Sequence, residues 1–380
     1  MNEFVYITKA SAFFPNDPVP NEDMEQYLGV INEKSLLAKR VILGKNGIKK
    51  RYYALDKEGN VTHTNVQITA NAIRELLDKE VTLEDIDVIA CGTSSQEQLI
   101  PSHGVMVHGE LGSKRNTEVV SFAGTCCSGM HALKYAQMSI LTGSAQNAIC
   151  AGSERMSAWM TARNFQKEAE NLAQLEEKPM LAFEKEFLRW MLSDGSAALL
   201  LQNKPAKKGI SLRIDWIELT SFANEMETCM YAGGEKQADG TFDGFSMFSE
   251  EEWLAKSIFS LKQDTRILAE YIVPLGGQFL KRLAEKRNFT PDNIDWFLPH
   301  ISSMFFKEQI KSEFGKIDFT IPDEKWFLNL PYVGNIGSAS AFVMLEELLR
   351  SGKLKKGEKI LLMVPESARF SYCYCMLTVC

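Results

Sequence analysis

The sequence has few histidines, no strongly basic segment and no long apolar run. Its 380 residues contain 5 histidines, and the formal net charge is −7. Proteins that bind nucleic-acid phosphates normally present clustered lysine and arginine, so this charge pattern argues against a nucleic-acid partner. The longest apolar runs, such as Ala197–Leu201 and Ile360–Val364, are far shorter than the roughly 20 residues that span a bilayer. We therefore expect no membrane span.

The amino terminus and the cysteines both favour a cytoplasmic protein. The chain begins Met-Asn-Glu-Phe-Val, with an acid where a secretory signal peptide is basic and without a long apolar core. The 8 cysteines are too sparse for a disulfide scaffold, and none forms a Cys-x-x-Cys pair or lies at zinc-finger spacing from a histidine. We expect reduced thiols and no metal centre.

Two segments of the chain resemble each other. Residues 82–95 (TLEDIDVIACGTSS) and 290–303 (TPDNIDWFLPHISS) coincide at five positions without a gap, and a helical apolar pattern precedes each. A turn of small residues, a helix, a glycine loop and an apolar strand then follow in the same order in both halves. The repetition predicts a duplication, and the alternation of strands and helices predicts an α/β fold.

The duplication divides the chain into residues 1–203 and 204–380. Two insertions have no counterpart in the other half, residues 156–190 and residues 225–262. They are either surface decoration or a cap over the substrate, and the sequence leaves both alternatives open. The large apolar side chains of the first insertion include Trp159, Met160, Phe165, Phe183, Phe187 and Trp190.

One predicted helix is preceded by two adjacent cysteines. In SFAGTCCSGMHALKYA, small residues lead into Cys126 and Cys127, and Ser128 begins the helix. The dipole and the free N–H groups of a helix start favour a thiolate, so we predict a lowered pKa for a cysteine at this position. Cysteine is also a common core residue, and this turn alone leaves a structural role open.

A histidine and an asparagine in the second half complete a candidate site. His300 ends the strand of the second repeat, and Asn335 lies in the turn that corresponds to the cysteine turn. If a pseudo-twofold axis relates the halves, Cys127, His300 and Asn335 converge from three separate segments, as an active site requires.

These segments together resemble the β-ketoacyl-acyl-carrier-protein synthase III (KAS III) family of the thiolase superfamily. Its Cys–small–Gly–hydrophobic pattern matches Cys127 rather than Cys126, and Asp194-Gly195-Ser196 is similar to its Asp-Gly-Ala turn. Pro299-His300 and Gly334-Asn335 match its histidine and asparagine motifs. The ending ESARFSYCYCMLTV is similar to ketosynthases of dialkylresorcinol-type pathways.

The resemblance implies a thiolase-like αβαβα fold of five layers, a homodimer, and no metal or organic cofactor. It implies that a thioester acylates Cys127, and that His300 and Asn335 bind the carbonyl of a second, malonyl or β-ketoacyl, thioester as enolate charge develops. Acyl carrier protein, coenzyme A or both would present these thioesters. The backbone N–H groups of Cys127 and Ala368 would form the acyl oxyanion hole. Further substrate contacts are predicted for Ile100, Trp159, Phe305 and Arg369.

The sequence departs from the family at three places. The glycine-rich loop near the carboxyl terminus is replaced by residues 365–370 (PESARF), and Val41 replaces the tryptophan that stacks on the adenine of coenzyme A. Residues 301–305 (ISSMF) replace a Gln-Ala-Asn run. With the insertions, these changes favour a specialised condensing enzyme that uses a longer acyl donor.

Three other functions fit the sequence in part. Papain-like proteases share the order Cys, His, Asn, but their cysteine lies near the mature amino terminus and their fold has no such duplication. Catalytically silent ketosynthase subunits generally lack the cysteine. An acyltransferase that delivers the acyl group to oxygen or nitrogen is the main alternative. Asn335 favours condensation, because only carbanion formation needs an enolate site.

Overall fold

The secondary structure alternates as the sequence predicts. We analysed a computed structural model, which describes residues 3–30, 33–162 and 187–380. Its strands are β1 (Tyr6–Phe13), β2 (Val19–Pro20), β3 (Lys50–Arg51), β4 (Val88–Thr93), β5 (Glu118–Ala123), β6 (Asn147–Glu154), β7 (Gly195–Gln202), β8 (Leu212–Ser221), β9 (Met230–Tyr231), β10 (Gly234–Lys236), β11 (Phe242–Gly244), β12 (Lys262–Gln263), β13 (Trp296–Pro299), β14 (Lys359–Glu366) and β15 (Ser371–Val379). Its α-helices are α1 (Met24–Leu28), α2 (Glu33–Asn46), α3 (Asn65–Leu76), α4 (His103–Leu111), α5 (Ser128–Leu141), α6 (Ser157–Met160), α7 (Glu250–Ala255), α8 (Thr265–Arg287), α9 (Phe305–Lys316), α10 (Leu330–Val333) and α11 (Ser340–Arg350).

Nine strands form one mixed sheet made of two similar groups. The order is β13-β14-β15-β8-β1-β7-β6-β4-β5, and the two groups meet only where Tyr6 and Ile7 of β1 pair with β8. In the first group β4 is parallel to β6, and β6-β7-β1 are antiparallel. In the second, β13 is parallel to β14, and β14-β15-β8 are antiparallel. The strand that would correspond to β5 in the second group is reduced to a single parallel bridge between Phe297 and Trp326. The division into residues 1–203 and 204–380 stays a prediction.

Alternate side chains of the strands face different helix layers. On β4, Ile89 and Cys91 pack against α3 and α4, whereas Val88 and Ala90 pack against α5 and α11 between the two strand groups. On β14, Leu362 faces that central layer, and Leu361 faces α8 and α9 on the far side. Successive side chains of a strand point to opposite faces, so three helix layers alternate with two strand layers. The predicted five-layered α/β fold is confirmed.

Glycines bring the two corresponding turns into contact. A Cβ at Gly129, in the first turn of α5, would lie 2.3 Å from the carbonyl oxygen of Ser338, just before α11. A Cβ at Gly92 would lie 2.4 Å from the backbone of Ser128. Only residues without a Cβ permit this approach. The turn that carries the cysteines therefore packs directly against the turn that follows Asn335.

The second insertion adds a small layer of its own. Strand β9 pairs with β12, and β10 pairs with β11. Lys262 is 5% exposed and forms an ion pair with Glu235, which anchors this layer. Of the first insertion, the structure describes residues 156–162 and 187–190, and Phe165 and Phe183 lie outside the described residues.

Neither a membrane-crossing helix nor a metal-binding cluster occurs in the part of the chain that the structure describes. No helix there combines the length and the apolar character that a bilayer crossing needs. No group of three or more His, Cys, Asp or Glu side chains there is arranged to hold a metal ion.

Candidate active site

A cavity with several polar residues and an apolar body opens where the parallel strands end. Its free volume, including the open mouth, is about 760 Å³. None of the described residues that line it is an acid, a lysine or an arginine. The polar residues of its lining are Ser94, Thr125, Cys126, Gln263, His300, Ser302, Asn335 and Ser367. The apolar body includes Met156, Phe187, Leu188, Leu192, Met230, Leu261, Leu268, Ile272, Val273, Phe306 and Ile310.

His300 follows β13 directly and faces this cavity. Its backbone N–H donates to the carbonyl oxygen of Met363 at 2.7 Å, which fixes the residue beside β14. The side chain is 4% exposed, and burial lowers the pKa of His300 to about 4. The imidazole is therefore neutral near pH 7, with one nitrogen as a donor and the other as an acceptor. Such a ring can donate a hydrogen bond to a carbonyl oxygen.

Asn335 presents its donor end to the same space. Its backbone N–H donates to Met191, and its carbonyl oxygen accepts from Ser193. The side-chain Oδ1 accepts from the N–H of Gly337 at 2.9 Å. An acceptor must face that N–H, so this bond sets the orientation of the amide. The NH₂ group is left as the end that a ligand oxygen can meet.

The two adjacent cysteines have different surroundings. Cys127 is 1% exposed, and its Sγ donates to the carbonyl oxygen of Val364 at 3.3 Å. Cys126 is half-buried and lines the cavity together with His300 and Asn335. The structure thus brings Cys126 onto the cavity surface and places the sulfur of Cys127 behind it. Cys127 remains the predicted nucleophile because it matches the motif and immediately precedes α5.

The predicted lowering of the Cys127 pKa is wrong for this structure. Burial raises the pKa of Cys127 well above its ordinary value, and the carboxylate of Glu366 raises it further. The Oε2 atom of Glu366 accepts from the N–H groups of Cys127 at 2.9 Å and Thr125 at 3.2 Å. These donors would otherwise stabilise a thiolate, but here they are satisfied by a negative charge.

The same contact occupies one of the two groups predicted for the oxyanion hole. The N–H of Cys127 is held by Glu366, and Ala368 lies in the turn between β14 and β15. The carbonyl oxygen of Ala368 accepts from Cys229 at 2.9 Å, so the turn is fixed from the second insertion. Glu366 has no place in the predicted site. Its only signal in the sequence is an acid in the segment that replaces the glycine-rich loop.

A second carboxylate absent from the predicted site links the segment after β4 to the turn after Asn335. Glu154 ends β6 and is fully buried. It accepts hydrogen bonds from the hydroxyl and backbone N–H groups of Ser94 and Ser95, and from the N–H of Ser338 at 3.2 Å. Burial raises the pKa of Glu154. The carboxylate fixes Ser94 at the cavity and the turn after Asn335 relative to each other.

The four further substrate contacts predicted from the sequence do not line the cavity in the described structure. Ile100 is 88% exposed and Phe305 is 50% exposed. Trp159 packs against the outer core, and the Nε of Arg369 donates to the carbonyl oxygen of Met226 at 2.8 Å. Phe306, next to Phe305, lines the cavity instead, because neighbouring residues of a helix point in different directions, and Ser367 of the turn that contains Arg369 also lines it.

Two family descriptions match separate parts of the chain. Residues 55–184 match "Thiolase, N-terminal domain". Residues 284–365 match "3-Oxoacyl-[acyl-carrier-protein (ACP)] synthase III C terminal". The first match contains both cysteines, and the second contains His300 and Asn335.

Relatives and solved structures agree with these matches along nearly the whole chain. The sequence is 24% identical over 350 residues to β-ketoacyl-[acyl-carrier-protein] synthase III of Clostridium perfringens, with 92% of each chain covered. It is 23% identical over 368 residues to the Neisseria gonorrhoeae enzyme of that name, with 95% of each covered.

Two solved structures share the fold. OleA of Xanthomonas campestris, with bound lauric acid and lauroyl-CoA, superposes with a TM-score of 0.77 at 18% identity and 100% coverage of both chains. The tetronic acid condensing enzyme AbyA1 gives 0.75 at 18% identity, with 98% of this chain and 99% of that chain covered. The two family matches, the curated relatives and the shared fold agree, and the chain is similar along nearly its whole length to the KAS III enzymes of the thiolase superfamily.

Proposed function

We propose that the protein forms a C–C bond between an acyl group on Cys127 and a malonyl or β-ketoacyl group on a carrier thioester. The supporting observation is that a neutral His300 and Asn335, whose NH₂ group is free to donate, line one cavity together with the cysteine turn and a large apolar surface. The ending of the sequence, which is similar to ketosynthases of dialkylresorcinol-type pathways, supports a reaction in a specialised lipid or polyketide pathway of that type.

The reaction divides into two half-reactions. In the first, the sulfur of Cys127 attacks the thioester carbonyl, the bond to the pantetheine sulfur breaks, and the thiol proton leaves with the released thiol. In the second, loss of CO₂ from a malonyl group, or release of the acidic α-proton of a β-ketoacyl group to water, gives an enolate. Hydrogen bonds from His300 and Asn335 stabilise its oxygen. Its carbon then attacks the acyl carbon, and Cys127 leaves as the thiolate.

Product analysis tests this function directly. The purified protein is incubated with an acyl thioester and a ¹³C-labelled malonyl- or β-ketoacyl-carrier thioester, and the product is examined by mass spectrometry for a new C–C bond. Transfer of the acyl group to an added alcohol or amine, without such a bond, would favour the acyltransferase alternative instead.

The apolar body of the cavity fits the hydrocarbon of an acyl chain. Leu268, Ile272 and Val273 of α8 line it, and Met230 and Leu261 of the second insertion add to the same surface. The insertion thus contributes to the cavity rather than only to the protein surface. The solved structure of OleA contains lauroyl-CoA, which supports a long acyl group for this chain as well.

Medium and long acyl donors should therefore outcompete acetyl thioesters in acylating the enzyme. Each buried CH₂ contributes about 0.8 kcal/mol, or about fourfold in kcat/KM, until the cavity is filled. Competition between acetyl, hexanoyl and decanoyl thioesters measures this preference. Ile272→Trp should shift the optimum to shorter chains. Glu270→Trp, on the exposed side of the same helix, should not. A clear preference of the unmodified enzyme for acetyl would contradict the assignment.

A homodimer is part of the proposal. Strand β5 is the outer strand of the sheet, so one of its edges has unpaired backbone groups. Large apolar side chains nearby are exposed, including Leu99 at 68% and Met138 at 51%. An exposed apolar surface next to a sheet edge is typical of a subunit interface. Ile100 follows Leu99 in the chain and is 88% exposed, so a second copy bound here would cover it.

A lysine cluster near the cavity suits an acidic carrier protein. Lys45, Lys49 and Lys50 are exposed, whereas Arg51, the next basic residue of the segment, is fully buried and donates to Asn21. The N–H of Met304 donates to Asn46 at 2.9 Å, so the cluster lies beside the segment that follows His300. Val41, 47% exposed, offers no aromatic surface to an adenine ring. Carrier protein is therefore the proposed source of at least the second thioester.

Reversing the charge of Lys45 and Lys49 should raise the apparent KM for carrier-bound substrate several-fold, and more at low salt. Lost attraction between exposed charges slows association and is screened by ions. Steady-state kinetics of the double Lys→Glu variant measure the effect at two salt concentrations. The matched control reverses Lys207 and Lys208, which are exposed in the β7–β8 loop. Equal losses with carrier and coenzyme A thioesters would disprove a carrier-docking role.

A further inference from the structure

The turn that carries the predicted nucleophile is held by an acid from the opposite half of the protein. Glu366 is the last residue of β14, and one of its oxygens accepts from the N–H groups of Cys127 at 2.9 Å and Thr125 at 3.2 Å. The acyl oxyanion of a bound thioester needs the N–H of Cys127. A carboxylate of the protein already occupies the place of that oxyanion.

We propose that Glu366 is a positioning residue that keeps the nucleophile turn in a resting state, and that an acyl thioester must displace its carboxylate before Cys127 is acylated. This inference rests on the proposed function, in which Cys127 receives the acyl group. It adds that Glu366 slows the acylation of Cys127 in the free enzyme.

The direction of the Cys127 side chain fits a resting state. Its thiol donates to the carbonyl oxygen of Val364 at 3.3 Å, two residues before Glu366 on the same strand. The end of β14 therefore binds both the N–H and the S–H of Cys127. Acylation requires both bonds to break, because the sulfur has to reach the cavity that Cys126 lines.

A polar group in the same turn lacks a strong partner. The Oγ1 atom of Thr125 is buried, and its interaction within the described parts of the chain is with the weakly hydrogen-bonding thiol of Cys126, although Thr125 lines the cavity. A buried hydroxyl without a strong partner is costly. A carbonyl oxygen that displaces Glu366 would enter beside this hydroxyl, which is then free to donate to it. The hydrogen bond that the Thr125 hydroxyl gains therefore favours replacement of Glu366 by a substrate oxygen.

The charge of Glu366 also suppresses the thiolate. After burial, it is the largest cause of the raised pKa of Cys127, and it raises the pKa of Cys126 as well. Removing a neighbouring negative charge lowers the pKa of a thiol. Among the described residues, the other titratable groups that interact with this turn or with Glu366 are Cys126, His131, Glu154, Tyr372 and Cys373, and Lys134 acts in turn on His131 and Cys373.

Two substitutions separate the charge of Glu366 from its occupation of the turn. Glu366→Gln keeps an acceptor for the two N–H groups and removes the charge, whereas Glu366→Ala removes both. Glu84→Gln is the matched control, because the Oε1 of Glu84 accepts from the backbone N–H of Lys114 at 3.0 Å on the exposed surface. All variants are made with Cys126→Ala, so that only one sulfur of the turn reacts.

The first measurement is the pH dependence of Cys127 alkylation by iodoacetamide, located by peptide mapping. We expect the alkaline rise to shift to lower pH in both Glu366 variants and to stay in place in the Glu84 control. The second is single-turnover acylation by decanoyl-CoA at pH 7. We expect acceleration by about tenfold or more, and the largest in Glu366→Ala, since hydrogen bonds to charged groups have effects of at least this size.

Unchanged alkylation profiles and acylation rates in both variants would overturn the inference. Slower acylation in both, with an unchanged alkylation profile, would also overturn it and make Glu366 a group that the reaction needs. Alkylation by iodoacetamide requires no thioester, so it tests Glu366 independently of the proposed function. If the pH profile of alkylation shifts but no thioester acylates the enzyme, then Glu366 does control the Cys127 thiol and the proposed function is wrong.

Discussion

Replacement of Cys127 by alanine should abolish the acyl-enzyme, whereas the Cys126→Ala enzyme should still form it. The acyl group needs a sulfur at the start of α5, next to the N–H groups that receive the developing oxyanion. Loss of a covalent nucleophile reduces turnover by a factor of about 10⁴ or more. Intact-protein mass spectrometry after a short incubation with decanoyl-CoA, followed by peptide mapping, measures the adduct.

Cys126→Ala is the necessary control because the two sulfurs are sequence neighbours with different surroundings. Cys126 lines the cavity, and Cys127 is 1% exposed with its thiol bound to Val364. An adduct on Cys126 that survives in the Cys127→Ala enzyme would contradict the assignment. Thermal unfolding of both variants shows whether a lost adduct reflects a lost fold.

The internal repeat predicts the fold well because its identical residues make the same hydrogen bonds in both halves. Asp87 accepts from the N–H of Asn147 at 3.1 Å, the first residue of β6. Asp295 accepts from the N–H of Lys359 at 2.8 Å, the first residue of β14. Each aspartate therefore ties its own strand to the next parallel one. Substitution of either aspartate would remove this bond. The repeated aspartate can therefore be recognised in the sequence.

The threonines of the repeat have a similar explanation. Thr82 and Thr290 each precede a single 3₁₀ turn, and their N–H groups donate to Asp85 at 2.8 Å and Asn293 at 2.9 Å. These contacts are local, within three residues, so a short sequence pattern contains both partners. Local capping and strand alternation together predict the elements that carry His300 and Asn335 to one place.

The state of the nucleophile turn cannot be predicted in this way. Glu366 and Cys127 are 239 residues apart in sequence, and no local pattern connects a carboxylate in one half to a backbone N–H in the other. The position of Cys127 before α5 predicts free N–H groups and a favourable dipole. Burial and the charge of Glu366 reverse the expected effect on its pKa. A sequence motif can identify the residue types of the site. The pKa of Cys127, by contrast, depends on tertiary contacts that the motif does not contain.

The sequence also does not predict which of two neighbouring side chains lines the cavity. Phe306 lines the cavity, and Phe305, its neighbour in the first turn of α9, is 50% exposed. Which of two adjacent phenylalanines faces inward depends on the rotation of the helix about its axis. That rotation is set by packing against α8 and the strands rather than by the segment itself.

Substituting His300 or Asn335 by alanine should separate the two half-reactions. Both side chains present donors to the site of the enolate oxygen, and neither contacts the sulfur of Cys127. Acylation of Cys127 should therefore survive, while condensation from the preformed acyl-enzyme should fall about 10²–10³-fold in each variant. Single-turnover acylation and product formation from isolated acyl-enzyme measure the two steps separately.

The double variant tests whether the two donors serve one oxygen. Side chains that act together lose less in combination than the sum of their separate losses, so His300→Ala with Asn335→Ala should be only slightly slower than either alone. His63→Ala, a half-buried histidine that packs against Phe13, serves as the control. Variants that acylate poorly but condense normally once acylated would show that the roles are reversed.

The pH dependence of condensation distinguishes a neutral donor from a proton-transfer catalyst at His300. Burial lowers its pKa to about 4, from an ordinary value of about 6.5, so the ring stays neutral from pH 8 down to about pH 5. A neutral N–H that only stabilises the enolate gives no change in rate across this range. We therefore expect condensation from preformed acyl-enzyme to show no inflection between about pH 5 and pH 7. An inflection near 6.5 that disappears in His300→Ala would mean that His300 gains or loses a proton at the pH of turnover, which is incompatible with its burial beside Met363 and the apolar cavity.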